Sequence, residues 1–241
     1  MDAGAYRPPG ESRAAPHVPF RRACHHPTVT RVKTCGITRP GDARLAVELG
    51  AWALGLIFWP RSPRACPIEV AEEIGAEQRR RVELAGVFVN ATLEHVAATA
   101  ERASLSLLQL HGDEGPAYCR EAARRTGCKV MKAVRVKDPS QVTAIEAFHV
   151  DYHLLDAYVP GTPGGTGERF NWDLARRHRG STPVVLSGGL TPDNVGEAIA
   201  AARPFAVDTA SGTEAQPGRK DPARLEAFFR AVRAADALAL A

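Results

Sequence analysis

The sequence predicts a single (β/α)8 TIM barrel of the α/β class, preceded by an unstructured N-terminal extension over residues 1–30. Three observations predict it. From residue 31 onward, short apolar runs alternate with longer amphipathic stretches, the pattern of repeated strand–helix units. Each kind of segment occurs eight times. The residues of unusual chemistry, Cys35, Arg64, His111, Asp156, 187–189 and 208–212, all fall at or just beyond the C-terminal ends of the strand candidates. Eight alternating pairs alone fit an open doubly wound sheet as well as a barrel, because counting does not reveal closure. In a barrel, however, those strand ends form one face, and that face carries the chemistry.

Strands are read, in order, at residues 31–35, 53–58, 83–89, 106–111, 129–134, 152–156, 183–187 and 205–209. Helices are read between and after them at 42–49, 68–78, 93–102, 116–125, 140–147, 172–178, 193–201 and 222–232. Helix-start chemistry supports several of these: Pro192 and Pro222 suit a first turn, and Thr92 and Ser140 can cap exposed amides. At 241 residues the chain is long enough for one undivided barrel, placed at 31–241.

Composition narrows the function classes. The net charge of +4 comes partly from the first 30 residues, where four arginines face only Asp2 and Glu11. The balanced remainder argues against nucleic-acid binding. No apolar run is long enough to span a bilayer, which argues against a membrane partner. Five cysteines, an odd number without repeated spacing, resemble neither a disulfide framework nor a zinc site and suit a reducing cytoplasm. The first 30 residues are broken by Pro8, Pro9, Pro16, Pro19 and Pro27 and lack the apolar core of a signal peptide. Cys24, His25 and His26 are adjacent ligands of unlike reach, which favours a solvated tail over a metal site. Nothing in the sequence sets an oligomeric state.

Two loops have the character of a phosphate site. Ser187-Gly188-Gly189-Leu190 follows the seventh strand, and Asp208-Thr209-Ala210-Ser211-Gly212 spans the end of the eighth. Paired glycines let backbone approach an anion, and phosphate sites in these barrels recur between the loops after strands seven and eight. A phosphorylated small molecule is therefore the expected partner, held by exposed backbone amides of these two loops.

Other candidates are individually ambiguous. Cys35 ends the first strand before Gly36; it reads either as a core cysteine or as a thiol able to accept a proton. Asp156 ends the sixth strand after Leu154-Leu155; it is either a turn-capping carboxylate or one sufficiently desolvated to act as an acid. Arg64 closes Arg61-Ser62-Pro63-Arg64 and can clamp a carboxylate through paired hydrogen bonds. His111 can anchor backbone or meet a substrate, and Asp208 can position a substrate hydroxyl or amine, or hold its own loop.

Taken in order, Lys33-Thr34-Cys35-Gly36-Ile37-Thr38, Ser62-Pro63-Arg64, Gly86-Val87-Phe88-Val89-Asn90, Gln109-Leu110-His111-Gly112, Leu154-Leu155-Asp156, Gly164-Gly165-Thr166-Gly167, Ser187-Gly188-Gly189-Leu190 and Val207-Asp208 before Ser211-Gly212 resemble the phosphoribosylanthranilate isomerase family. The resemblance runs from about residue 31 to 233. It implies a (β/α)8 barrel that converts N-(5-phosphoribosyl)anthranilate to 1-(2-carboxyphenylamino)-1-deoxyribulose 5-phosphate, an Amadori rearrangement in tryptophan biosynthesis that needs neither metal nor organic cofactor. It further implies that Asp156 is the general acid and Cys35 the general base, with Arg64 on the anthranilate carboxylate and backbone around Gly188, Gly189, Ser211 and Gly212 on the phosphate. Two positions depart from the family pattern: Asn171 stands for an aspartate and Ala210 for a serine. The related isomerase of histidine biosynthesis carries an aspartate where Cys35 stands, so Cys35 speaks against that alternative. A noncatalytic phosphate-binding barrel is the other alternative, and the joint presence of Cys35, Arg64 and Asp156 speaks against it.

Overall fold

In a computed structural model, the described residues are 29–156 and 172–240. The extension up to residue 28, with Cys24, His25 and His26, lies outside them, as do the Gly164–Gly167 motif and Asn171. The eight strands are β1 (Arg31–Cys35), β2 (Ala53–Ile57), β3 (Glu83–Phe88), β4 (Leu107–Leu110), β5 (Lys129–Arg135), β6 (Tyr152–Asp156), β7 (Val184–Ser187) and β8 (Ala206–Thr209). They pair in parallel in sequence order, and β8 closes on β1 with Lys33 level with Asp208. The sheet is thus a closed barrel rather than an open one.

Among the described residues seven α-helices pack outside: α1 (Pro40–Glu48), α2 (Ile68–Gln78), α3 (Leu93–Arg102), α4 (Pro116–Thr126), α5 (Pro139–Ala144), α6 (Val195–Ala202) and α7 (Pro222–Leu240). The Thr92 hydroxyl accepts from the His95 amide at 3.2 Å, the cap expected of it. At α5 the cap is Asp138 instead of Ser140: Asp138 accepts from the Ser140 amide, and Gln141 accepts from the Asp138 amide, each at 2.8 Å. A carboxylate with a reciprocal glutamine satisfies two amides where a serine would satisfy one. The segment read as a helix at 172–178 is a 3₁₀ helix, Trp172–Arg177. α7 runs eight residues past its expected end, because its alanine- and leucine-rich tail favours helix where burial no longer demands it. Near that end, Asp236 accepts hydrogen bonds from the Thr30 amide at 2.8 Å and hydroxyl at 2.6 Å. This fastens the start of β1 to the last helix.

Strand alternation sorts the core into two layers. Outward residues such as Leu54, Leu84, Leu108, Leu155 and Val207 pack against the helices. Inward residues Ala85, Leu107, Met131, Leu154, Val185 and Ala206 fill the barrel. Trp52, Tyr152 and Phe205 plug its N-terminal end with ring centroids 5.1–5.3 Å apart. A plugged floor leaves the C-terminal mouth as the open end.

One outward polar group is unusual. His153 on β6 is buried; its Nε2–H donates to the Phe148 carbonyl at 2.9 Å, and its Nδ1 accepts from His178 Nε2 at 2.8 Å. Burial holds both imidazoles below their ordinary value of 6.5. The unfolded chain therefore binds more protons than the folded one just below that value, so stability is full above about pH 6.5 and falls as pH drops through the depressed folded values. Melting temperature is expected to fall on acidification below pH 6.5, and less steeply in His178→Gln, which keeps a donor for His153 but takes no charge. Equal slopes in thermal melts would count against this pair.

Candidate active site

A cavity of about 700 Å³ opens among the C-terminal strand ends, with Trp59, Val89, Asn90, His111 and Asp156 in its lining. Cys35, Gly55, Val87, Gln109, Asp156, Ser187 and Asp208 all share the inward phase of their strands; of these Val87 and Asp156 line the cavity, and the others lie outside its lining.

Asp156 is held at the top of β6 by its backbone. Its carbonyl accepts from the Val136 amide at 2.9 Å, and in register it lies between Arg135 and Ser187. Its carboxylate reaches His111 Nε2 at 3.5 Å, longer than a closed hydrogen bond, and its side chain is 19% exposed. Gln109 sits one inward step below His111, and its amide nitrogen lies 3.1 Å from His111 Nδ1. With Nδ1 accepting, the proton belongs on Nε2 and points toward Asp156. The loop bearing His111 is pinned by Glu114, which accepts from the Asn90 amide at 2.7 Å and the Gly112 amide at 2.8 Å and pairs with buried Lys132 at 2.9 Å.

Cys35 is buried at the top of β1. Burial pushes its thiol above the ordinary value of 9.0; Lys33 and Lys220 pull it down, and Asp208 pushes it up. Lys33 is fully buried on the inward face of β1 and pairs with Asp208 at 3.0 Å. The Ser187 hydroxyl donates to the second Asp208 oxygen at 3.2 Å. Asp208 is therefore an anchored carboxylate and not a loose loop residue.

Arg64 is engaged by Glu214: Nε donates to both carboxylate oxygens at 2.9 Å, and Nη2 lies 2.8 Å from Oε2. This occupies one edge of the planar guanidinium. The other edge, Nη1 with the second hydrogen of Nη2, retains the paired geometry a carboxylate requires. Glu214 belongs to a hairpin of β9 (Glu214–Gln216) and β10 (Arg219–Lys220) after β8. In that hairpin Lys220 donates to the Ala210 carbonyl at 2.9 Å and lies 3.3 Å from Glu214. Burial drives the Lys220 ammonium below its ordinary value, against the pull of Glu214.

The two small-residue loops meet. Gly188 and Gly189 have φ of 99° and 65°, in the left-handed region that glycine enters without strain. A side chain on Gly212 would collide with the Leu190 carbonyl, and the Thr209 hydroxyl donates to that carbonyl at 3.2 Å. Backbone of the two loops is therefore in close contact at Leu190 and Gly212. The helix expected to start at Pro192 starts instead at Val195, because Asn194 turns back to accept from the Thr191 amide at 2.8 Å and donate to the Gly189 carbonyl at 3.0 Å.

Sequence reasoning passed over Lys33, Gln109, Glu114, Lys132, Glu214 and Lys220. A signal existed for two of them, since Lys33 and Gln109 stand two residues before Cys35 and His111 and so share their faces.

The family described as N-(5'phosphoribosyl)anthranilate (PRA) isomerase matches residues 32–231. An N-(5'-phosphoribosyl)anthranilate isomerase of Citrifermentans bemidjiense is 49% identical over 197 residues, covering 82% of this chain and 94% of that protein. One from Geobacter metallireducens is 48% identical over 206 residues, 86% of this chain and all of its own length (100%). Among solved structures, phosphoribosyl anthranilate isomerase from Thermotoga maritima is 40% identical with a TM-score of 0.77, covering 85% of this chain and 99% of its own. A second, a phosphoribosyl anthranilate isomerase in complex with reduced 1-(o-carboxyphenylamino)-1-deoxyribulose 5-phosphate, is 37% identical with a TM-score of 0.74 and the same coverage, 85% and 99%.

Proposed function

The chain belongs to the N-(5'-phosphoribosyl)anthranilate isomerase family, and from that premise we propose that Cys35 and Asp156 are the two proton-transfer groups of its active site. The enzyme isomerises N-(5'-phosphoribosyl)anthranilate to 1-(2-carboxyphenylamino)-1-deoxyribulose 5-phosphate, a step of tryptophan biosynthesis. The observation that carries the assignment is their placement. An acid at the top of β6 and a thiol at the top of β1 face one mouth, with the β7 and β8 loops between them in the barrel order.

Asp156 protonates the furanose ring oxygen, and the ring opens to an iminium. The positive charge acidifies the adjacent sugar C–H, and Cys35 removes that proton. The resulting enolamine tautomerises to the ketone. Backbone around Gly188, Gly189, Ser211 and Gly212 holds the phosphate, Asp208 and His111 face the sugar, and the open edge of Arg64 meets the anthranilate carboxylate. This sequence of proton transfers calls on no metal or organic cofactor.

The activity is tested by generating phosphoribosylanthranilate in place and following the loss of its anthranilate fluorescence; no loss with folded enzyme refutes it. In the same assay Arg64→Ala is expected mainly to raise KM, because a guanidinium binds and does not transfer protons. Some thermal stability should also go, since Glu214 keeps only Lys220 as a charged partner. An unchanged KM removes Arg64 from the carboxylate site.

We place the catalytic unit at residues 31–241 and the protein in the cytoplasm. In support, Cys35, Cys66, Cys119 and Cys128 are all unpaired, and among the described residues no helix is long and apolar enough to cross a membrane. Deleting residues 1–28 is expected to leave kcat and melting temperature unchanged. A large drop in either shows that the extension contributes to the barrel.

A further inference from the structure

We propose that Lys33 is a positioning residue for proton abstraction: its buried ammonium, clamped by Asp208 on one side, faces Cys35 on the other and stabilises the thiolate that takes the substrate proton. The proposal rests on the reading of Cys35 as the base.

Lys33 is the first oddity of the barrel interior. It is fully buried and level with Asp208 in a barrel interior whose other inward side chains are largely alanine, leucine, valine and methionine. An ammonium there is costly, and a buried pair with Asp208 returns little net stability compared with an apolar side chain. Asp208 at 3.0 Å engages one of the three N–H donors. The direction of the others follows from the strand. Cys35 lies one inward step above Lys33, and Gly55 of β2 stands in register with Cys35. A Cβ on Gly55 would sit 2.6 Å from the Cys35 sulfur and 3.0 Å from the Lys33 nitrogen. The missing side chain is therefore the space in which thiol and ammonium converge, and each acts on the other through its charge.

The surrounding charges set the sign. Lys33 from β1, Asp208 from β8 and Lys220 from the hairpin face the thiol, with Glu214 and Arg64 behind Lys220. Burial opposes charge on Lys33, yet Asp208 and Cys35 more than offset it, so the ammonium persists. Burial also opposes the thiolate, and Lys33 is the largest influence acting the other way. In the transfer, the substrate C–H bond breaks and an S–H bond forms. The C–H electron pair becomes the C=C bond of the enolamine, and the iminium π pair returns to nitrogen. Lys33 stays protonated throughout and touches no substrate atom in this scheme.

The test reads Cys35 directly in the free, full-length enzyme: iodoacetamide alkylation of the peptide bearing Cys35, measured by mass spectrometry across the alkaline range. Lys33→Met is expected to move the midpoint upward by at least about one pH unit, slowing alkylation at neutral pH about tenfold or more. The rising limb of kcat/KM against pH should move with it, whereas a purely structural role lowers activity equally at every pH. Asp208→Asn, which retains the lysine, is expected to move the midpoint downward, because the thiolate becomes the only counter-ion of the ammonium. These opposite signs keep the proposal testable if Lys33→Met does not fold. An unmoved midpoint in Lys33→Met, or an unmoved or raised one in Asp208→Asn, overturns it. Should the midpoints move as expected while Cys35→Ser retains full turnover, the Lys33–Cys35 coupling holds and the assignment of Cys35 as base fails.

Discussion

Cys35→Ser is expected to lower kcat by at least about a hundredfold, the lower end of what a positioned proton-transfer group contributes. Serine is slightly smaller than cysteine, so it fits the space over Gly55 that the sulfur occupies. The change is therefore chemical. A hydroxyl holds its proton far more tightly than a thiol at neutral pH, and the ammonium of Lys33 cannot close that gap. Because burial raises the Cys35 thiol in the free enzyme, the wild-type kcat/KM should climb as pH rises toward that elevated value. The serine variant should lack this limb. Steady-state kinetics on a variant whose melting temperature matches wild type decides the matter: near-normal kcat rejects Cys35 as the base.

Asp156→Asn is expected to be comparably damaging, and for a complementary reason. Ring opening needs an acid beside the furanose oxygen, and an amide reproduces the shape of the carboxyl without a proton to give. The backbone bonds that hold residue 156 between β5 and β7 do not involve the side chain, so the strand should not move. The 3.5 Å approach of His111 places an imidazole beside the lost acid. Rescue through this neighbour would leave a substantial residual rate that vanishes in Asp156→Asn/His111→Asn. Since acid and base act on one reaction, the Cys35→Ser/Asp156→Asn double variant should lose less than the product of the single effects. A folded Asp156→Asn enzyme with wild-type kcat disproves the acid assignment whatever the fate of the barrel.

The local elements were the legible part of this chain. All eight strands stand within two residues of their expected bounds, because apolar alternation and the turn residues between runs are carried by neighbouring positions. The same locality explains the misses. Nothing near Trp172 announces that its segment winds as a 3₁₀ helix. The helix start at Val195 depends on Asn194 reaching the Gly189 carbonyl, which a proline at 192 does not foretell. The hairpin carrying Glu214 and Lys220 has only five strand residues, too few for a period.

By itself, then, the sequence determined the order of strands and helices, the inward phase shared by Lys33 with Cys35 and by Gln109 with His111, and the glycines that open the β7 and β8 loops. Tertiary structure alone decided that β8 closes on β1, and with it the long-range charge partnerships of the site. Lys33 and Asp208 are 175 residues apart in the chain, and Arg64 and Glu214 are 150 apart. Periodicity reports on a few neighbouring residues, whereas these pairs exist because barrel closure and loop folding bring distant side chains to one mouth. Away from water, charges so paired act on one another more strongly than they would at the surface.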